Sequence, residues 1–242
     1  MTNIVFYTGA GMSRESDLPT FRGKEGIWEE LDVEKVAFKQ SWYCGRYSDC
    51  NKRRQAILDF FNPIRRLIME KEPNEGHRQI ASLEKEYRVS IITQNGDDYH
   101  ERAGSANVIH LHGEALKNAS TLHPYEWYNI DRNNPDIHIG DKAPDGSQIR
   151  PYVIFFDEDI EMSLWKKSVA AIQEANYFIV IGSSLLVHPA VDLLKMIPAH
   201  CKIYVIDPDE VKWPDGGNIK YEHLCTGASE GMRILCKKLF NQ

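Results

Sequence analysis

Residues 90–114 read SIITQNGDDYHERAGSANVIHLHGE. With the residue before them they open on a β-branched run, Val89-Ser90-Ile91-Ile92-Thr93, of the kind that fills a central strand of a parallel sheet and is buried on both faces. Polar side chains follow at once. Gln94, Asn95, Asp97 and His100 crowd the turn where such a strand ends, and the carboxyl ends of strands are where open α/β sheets bind ligands. A second apolar run, Asn107-Val108-Ile109, delivers His110 and His112 just ahead of Gly113. Two strand ends thus bring amides, a carboxylate and an imidazole into one crevice.

Upstream, Ile4-Val5-Phe6-Tyr7 predicts another strand, and Thr8-Gly9-Ala10-Gly11-Met12-Ser13 a strand-to-helix turn. Small residues there let the backbone approach a pyrophosphate and aim amide N–H groups at it. Gly-Ala-Gly by itself is more often a bare tight turn. The long loop that follows carries Phe21, Arg22 and Gly26-Ile27-Trp28, and loops of that length inside compact domains usually serve a function. Downstream, Val153-Ile154-Phe155-Phe156 is expected to re-enter the main sheet as a strand after Arg150-Pro151. Tyr177 to Ile181 forms a strand running into a second glycine turn, Gly182-Ser183-Ser184-Leu185, and Lys202 to Ile206 a strand ending at Asp207.

Helical spacing of Ile57, Phe60, Phe61, Ile64, Leu67 and Ile68 predicts a helix over 52–72, interrupted by Pro63. Further helices are expected over 77–85, 165–176 and 229–240. Six or so strands alternating with helices give an α/β fold, a doubly wound, mostly parallel Rossmann-like sheet. Two excursions, 29–75 and 115–149, are expected to build a small inserted domain, leaving 1–28, 76–114 and 150–242 as the main one.

Composition narrows the function. The 242 residues are 42% hydrophobic and 26% charged, with 29 Lys plus Arg against 35 Asp plus Glu. A net charge of -6 leaves no overall electrostatic footprint for nucleic acid. The most apolar stretch, 177–187, is far short of the roughly 20 residues of a membrane helix, so no membrane partner and a cytoplasmic location are expected. Five cysteines, Cys44, Cys50, Cys201, Cys225 and Cys236, form no C-x-x-C pair, and free thiols are expected rather than a disulfide framework. Cys225 reads as a packing thiol.

Six motifs then occur in order: GAGMSRESDLPTFRG from Gly9, GIW from Gly26, TQNGDDYHERAG from Thr93, HLHGE from His110, RPYVIFFDE from Arg150 and GSSLLVHPA from Gly182. In this the chain resembles the sirtuins, the NAD-dependent protein-lysine deacylases, and is most similar to their shorter bacterial branch. The resemblance implies NAD as cofactor and an acylated-lysine protein or peptide as substrate. It assigns Gly9, Ala10, Gly11, Ser13, Phe21 and Arg22, with Gly182, Ser183 and Ser184, to the cofactor. Gln94 and Asn95 are implied at the nicotinamide ribose, Asp97 at the carboxamide, Asp207 at the adenosine ribose and Ala228 beside the adenine. His112 corresponds to the general base and, with Asn95, to the catalytic pair; a reference pKa of about 6.5 suits an imidazole to that task. Phe61, Ile64, Val153, Phe155, Phe156, Leu185 and Val187 are implied around the acyl-lysine and its peptide. His110 is expected to pack inward and His100 to be structural.

The chain also departs from the family. Sirtuins usually carry two C-x-x-C pairs that hold zinc in the second excursion, yet no cysteine lies between Glu114 and Arg150. No metal site is expected; an aromatic cluster of Tyr125, Trp127, Tyr128 and Ile130 is the expected substitute. Gly96 stands where Ile or Val is usual, which should loosen the nicotinamide pocket. Acid-selective members carry Tyr and Arg where this chain aligns Phe61 and Ile64, so neutral acyl groups are expected, with the adjacent Arg65 as a complication. Asp157, Asp159 and Glu161 suggest an acidic rim and a basic peptide, or equally a solvated helix start. Two other activities stay open: ADP-ribosyl transfer or NAD hydrolysis at the same site, and NAD binding without catalysis.

Overall fold

The computed structural model describes residues 1–20, 32–45, 48–214 and 219–240. Phe21, Arg22 and the Gly26-Ile27-Trp28 segment lie outside the described residues. Within them the strands are β1 (Asn3–Thr8), β2 (Arg88–Thr93), β3 (Val108–His110), β4 (Gly113–Ser120), β5 (Trp127–Asn129), β6 (Ile149–Val153), β7 (Tyr177–Ile181), β8 (Lys202–Ile206) and β9 (Tyr221–Leu224). The α-helices are α1 (Val33–Ala37), α2 (Lys39–Trp42), α3 (Cys50–Glu70), α4 (Glu75–Leu83), α5 (Tyr99–Arg102), α6 (Met162–Gln173) and α7 (Ala228–Leu235), with tight helical turns over Ala10–Ser16 and Ala190–Met196.

The main sheet has the order β3-β2-β1-β7-β8-β9 and is parallel throughout. Its central strands are apolar on both faces, and the two-residue period sorts their side chains. Val5, Tyr7, Phe178, Val180, Ile203 and Val205 enter one core with Ile172 of α6 and Leu193 of the 190–196 turn. Ile4, Phe6, Ile179, Ile181, Tyr204 and Ile206 enter the other with Ile80 of α4 and Met232 of α7. A sheet covered on both faces is what continuous apolar strands require. From β1 the chain winds outward through β2 and β3, then returns to start β7 on the other side of β1. The switch point therefore lies between the ends of β1 and β7, and ligand crevices open at such points.

A three-stranded antiparallel sheet, β5-β4-β6, forms the second layer of the architecture. It corrects the expected strand at 153–156. Residues 149–153 pair with β4 rather than with the main sheet, and the chain leaves that pairing at Ile154, whose N–H donates to the His112 carbonyl at 2.9 Å. Antiparallel β4 follows β3 after only two residues and captures the returning segment first. Phe156 then bonds both ways to the start of the helical excursion, N–H to Ala37 O at 2.8 Å and O from Lys39 N–H at 2.9 Å.

Helix α3 runs unbroken through Pro63. Both of its ends are held by packing, Ile57 and Leu58 against Trp42 and Phe155, and Ile68 against Leu18 and Tyr99, which outweighs the cost of one missing helical N–H. Cys44 and Cys50 form a disulfide, correcting the expectation of free thiols for this pair. Cys44, two residues past the end of α2, thereby meets the first residue of α3, and Gly45 beside it has φ +60°. Cys201, Cys225 and Cys236 are free, and Cys225 is exposed rather than packed. Among the described residues no helix is long and apolar enough to cross a membrane.

Candidate active site

A cleft of about 1110 Å³ opens at the switch point. Its floor is made by two glycine turns in backbone contact. Gly9 N–H donates to Ile181 O at 3.0 Å and Gly11 N–H to Gly182 O at 2.9 Å. A Cβ added to Gly11 would lie 2.6 Å from Gly182 Cα, and one on Gly182, at φ +60°, 2.4 Å from Gly11 C. No larger residue fits either position, and the absence of side chains leaves backbone facing the cleft at both turns. Such a cradle suits the pyrophosphate of a dinucleotide. Ala10, Ser13, Ser183 and Ser184 line the same floor, and Asp207 and Ala228 line its far end.

Beside this floor the turn after β2 is fixed by its own side chains. Ser13 Oγ donates to Asp97 Oδ2 at 2.8 Å and accepts from Asn95 Nδ2 at 3.1 Å. The Asn95 N–H donates to Thr93 Oγ1 at 3.1 Å, and the Asn95 carbonyl faces His110 Nδ1 at 2.9 Å. Gln94 reaches across to the glycine turn after β7, accepting from Ser183 Oγ at 3.4 Å. Burial pushes the Asp97 carboxyl up to about 6, against the bond from Ser13 that favours its ionised form. His112 lines the same cleft, half-buried, beside this turn. Burial depresses its imidazole to about 4, and a bond to the Gln94 carbonyl partly opposes this. At neutral pH the ring is uncharged, so one ring nitrogen carries the proton and the other can accept one.

The third region is an apolar channel. Phe61 and Ile64 from α3 line it with Val153, Phe155 and Phe156, and the Phe61 and Phe155 rings lie 6.2 Å apart. Arg65 points elsewhere: its guanidinium donates to Pro135 O at 2.9 Å and to Lys117 O at 2.8 Å, fully buried beneath the second excursion. Val187 lines the cleft, but Leu185 does not. Its backbone is left-handed, at φ +55°, which turns the side chain into the core beside Val180 and Leu193, and Leu186 takes the place at the rim.

The Sir2 family model matches residues 9–189. The chain is 39% identical over 238 residues to the NAD-dependent protein deacylase of Bacteroides thetaiotaomicron, covering 97% of each. It is 42% identical over 211 residues to the protein of that name from Helicobacter pylori, covering 86% of this chain and 85% of that one. A solved Sir2 homologue mutant in complex with ADP-ribose superposes with a TM-score of 0.83 at 32% identity, over 97% of this chain and 90% of that one. The chain belongs to the Sir2 family.

As a Sir2 protein it solves one structural problem differently. Among the described residues no three His, Cys, Asp or Glu side chains are grouped to hold a metal, so the residues of the second excursion do not fit zinc. Nor do the expected aromatics form its core. Trp127 is 47% exposed under the Lys117 ammonium, and Tyr125 reaches out to Asp159 O; only Ile130 is buried. What holds the module is α3. Asn62 Nδ2 donates to Ile137 O at 2.9 Å and its Oδ1 accepts from Ile137 N–H at 3.0 Å, Arg65 takes the two carbonyls named above, and Arg66 pairs with Asp136. One helix face thus satisfies four backbone groups, the N–H and carbonyl of Ile137, the carbonyl of Pro135 and that of Lys117 in β4.

Sequence reasoning also missed a buried ion pair behind the channel. Arg150 meets Glu158 through two bonds of 2.6 and 2.9 Å, and its guanidinium also donates to Val153 O and Tyr43 Oη. Glu158 Oε2 accepts in turn from Phe155 N–H at 2.9 Å, shaping the turn that presents Phe155 and Phe156. The available signal was an arginine beginning an apolar run, with an acid eight residues on. That pattern is weak without the fold.

Proposed function

We propose that the chain is an NAD-dependent protein-lysine deacylase acting chiefly on neutral acyl groups, acetyl above all. The observation that carries this reading is a neutral imidazole, His112, in one cleft with the Asn95–Ser13–Asp97 network and an apolar channel. The proposed division of labour follows two units, 1–28, 76–114 and 150–242 for the dinucleotide, and 29–75 with 115–149 as a roof over the acyl-lysine.

In this reading Gly9, Ala10, Gly11 and Ser13, with Gly182, Ser183 and Ser184, hold the phosphates and a ribose, and Asp207 and Ala228 the adenosine end. Gln94 and Asn95 hold the nicotinamide ribose, and Asp97, ionised above about pH 6, accepts from the carboxamide. Bound NAD supplies an electrophilic ribosyl carbon, with nicotinamide as leaving group, to which the acyl oxygen of the substrate adds. His112 would then take a ribose hydroxyl proton at its unprotonated ring nitrogen, so that this oxygen bonds to the acyl carbon; the lysine amine leaves with a proton, and addition of one water opens the bridge to the ribosyl carbon and leaves the acyl group as an ester on the ribose. The Phe61–Phe155 channel excludes water and grips the acyl chain at about 0.8 kcal/mol per buried CH2. An acidic acyl group would enter unpaired, a penalty of several kcal/mol, because Arg65 is already committed to Pro135 and Lys117. Asp157 and Asp159, both exposed at the rim, favour a basic peptide.

The test is His112→Ala, assayed by mass spectrometry with acetyl-lysine peptide and NAD. Removal of a general base costs about 10² to 10⁴ in rate, and NAD binding by calorimetry should persist. Near-normal turnover overturns the assignment of His112. Nicotinamide release by the wild type at full rate without acyl peptide would instead identify a hydrolase.

A further inference from the structure

We propose that His110 is a positioning residue for this reaction: held by Glu101 in its doubly protonated form, it fixes the peptide carbonyl of Asn95 and so the catalytic amide. This rests on the deacylase reading for its consequence, but not for its geometry. His110 ends β3 and is buried, with Nδ1 2.9 Å from Asn95 O and Nε2 2.8 Å from Glu101 Oε1. A backbone carbonyl can only accept, and an ionised carboxylate can only accept. Both bonds therefore exist together only when both ring nitrogens carry protons. The imidazolium closes a ring of structure, from the Asn95 turn through β3 to α5 and back. Thr93 holds the N–H of Asn95 and Ser13 its side-chain amide, so His110 is the third point that fixes the residue.

The surroundings support the charged form. Glu101 and Glu114 face His110, and although burial opposes protonation, their attraction and the bonds to Glu101 and Asn95 raise its pKa above the ordinary value. The other ionisable groups packed around it are Asp97, His100 and, through Glu101, Lys117. His100 is kept neutral by burial and adds no competing charge. On deprotonation, Nε2–H stays with the carboxylate, where the bond is charge-assisted. Nδ1 then turns a lone pair toward the Asn95 carbonyl, and the catalytic turn loses its anchor.

Activity should accordingly fall on the alkaline side with the titration of His110. In Glu101→Gln the neutral ring is favoured, and the alkaline limb of kcat should move down by at least one pH unit, a tenfold change in proton affinity. In His110→Asn an amide N–H replaces Nδ1–H without titrating; kcat at pH 7 should stay within about tenfold of wild type and the limb should disappear. His110→Leu should lose kcat with little change in the Kd for ADP-ribose. NMR titration of His110 in the free protein measures the proton directly and needs no turnover. A His110 pKa below 6.5, or an alkaline limb unchanged in both Glu101→Gln and His110→Asn, overturns the proposal. Failure of the wild type to deacylate overturns the deacylase reading and leaves the NMR result standing. Melting curves for each variant separate misfolding from mispositioning.

Discussion

Replacing Glu158 by Gln removes one negative charge from a site where Arg150 has no solvent to turn to. Both side chains are almost fully buried, at 0% and 4% exposure, and the guanidinium makes two of its bonds to the carboxylate. Glutamine keeps one acceptor but turns an NH2 toward a cation, and the Phe155 N–H competes for the remaining oxygen. Breaking a buried pair from one side costs about 3–5 kcal/mol, because the survivor stays charged and desolvated. For a protein of this length each kcal/mol lowers Tm by roughly 2–4 °C, so a fall of about 6–20 °C is expected by calorimetry. Removing both charges should be milder: Arg150→Met with Glu158→Met should recover more than half of the loss. Because Glu158 shapes the Phe155–Phe156 turn, KM for acetyl peptide should rise more than KM for NAD at a temperature where the variant is folded. A fall in Tm below 2 °C, or a double variant as unstable as the two single losses summed, would refute this account of the channel wall.

Three further outcomes follow from the same geometry. Burial holds His77 at about 3, His112 at about 4 and His100 well below its ordinary value, so below pH 6.5 the unfolded chain binds more protons and stability is lost as pH falls toward those values. Asp97 works the other way, its contribution being lost as pH rises through about 6, and so do Asp207 and His110, whose pKa values the fold raises; the three strongly depressed histidines should still outweigh them and lower Tm from pH 7 to pH 5, and less so in His77→Phe. On acyl choice, kcat/KM for acetyl- and butyryl-lysine should exceed that for succinyl-lysine, and Arg65→Ala should lower Tm without altering the ratio; a succinyl preference that vanishes in the variant would put Arg65 in the channel. Finally, Tm should be unchanged by chelator, whereas Asn62→Ala, which strands both the N–H and the carbonyl of Ile137, should cost about 2–4 kcal/mol; elemental analysis finding one equivalent of zinc would contradict the clamp.

The parallel sheet was legible because its cause is local: short apolar runs at Ile4, Val89, Tyr177 and Lys202 form strands wherever the chain lets both faces be covered, and the glycine turns at Gly9 and Gly182 sit at their ends. The cleft followed from those strand ends, and with it Asn95, Asp97 and His112. Other features depend on contacts between segments far apart in sequence. Whether 149–153 joins the main or the small sheet is a competition between partners, and adjacent β4 wins. Whether Arg65 faces the channel depends on the carbonyls of Pro135 and Lys117, some 70 and 52 residues away. The Cys44–Cys50 bond needs the turn at Gly45, and the inward Leu185 needs a core to enter. Most of all, the charge on His110 is invisible in HLHGE, since a histidine's protons are set by what its two nitrogens face, and only the folded chain brings Asn95 and Glu101 to them.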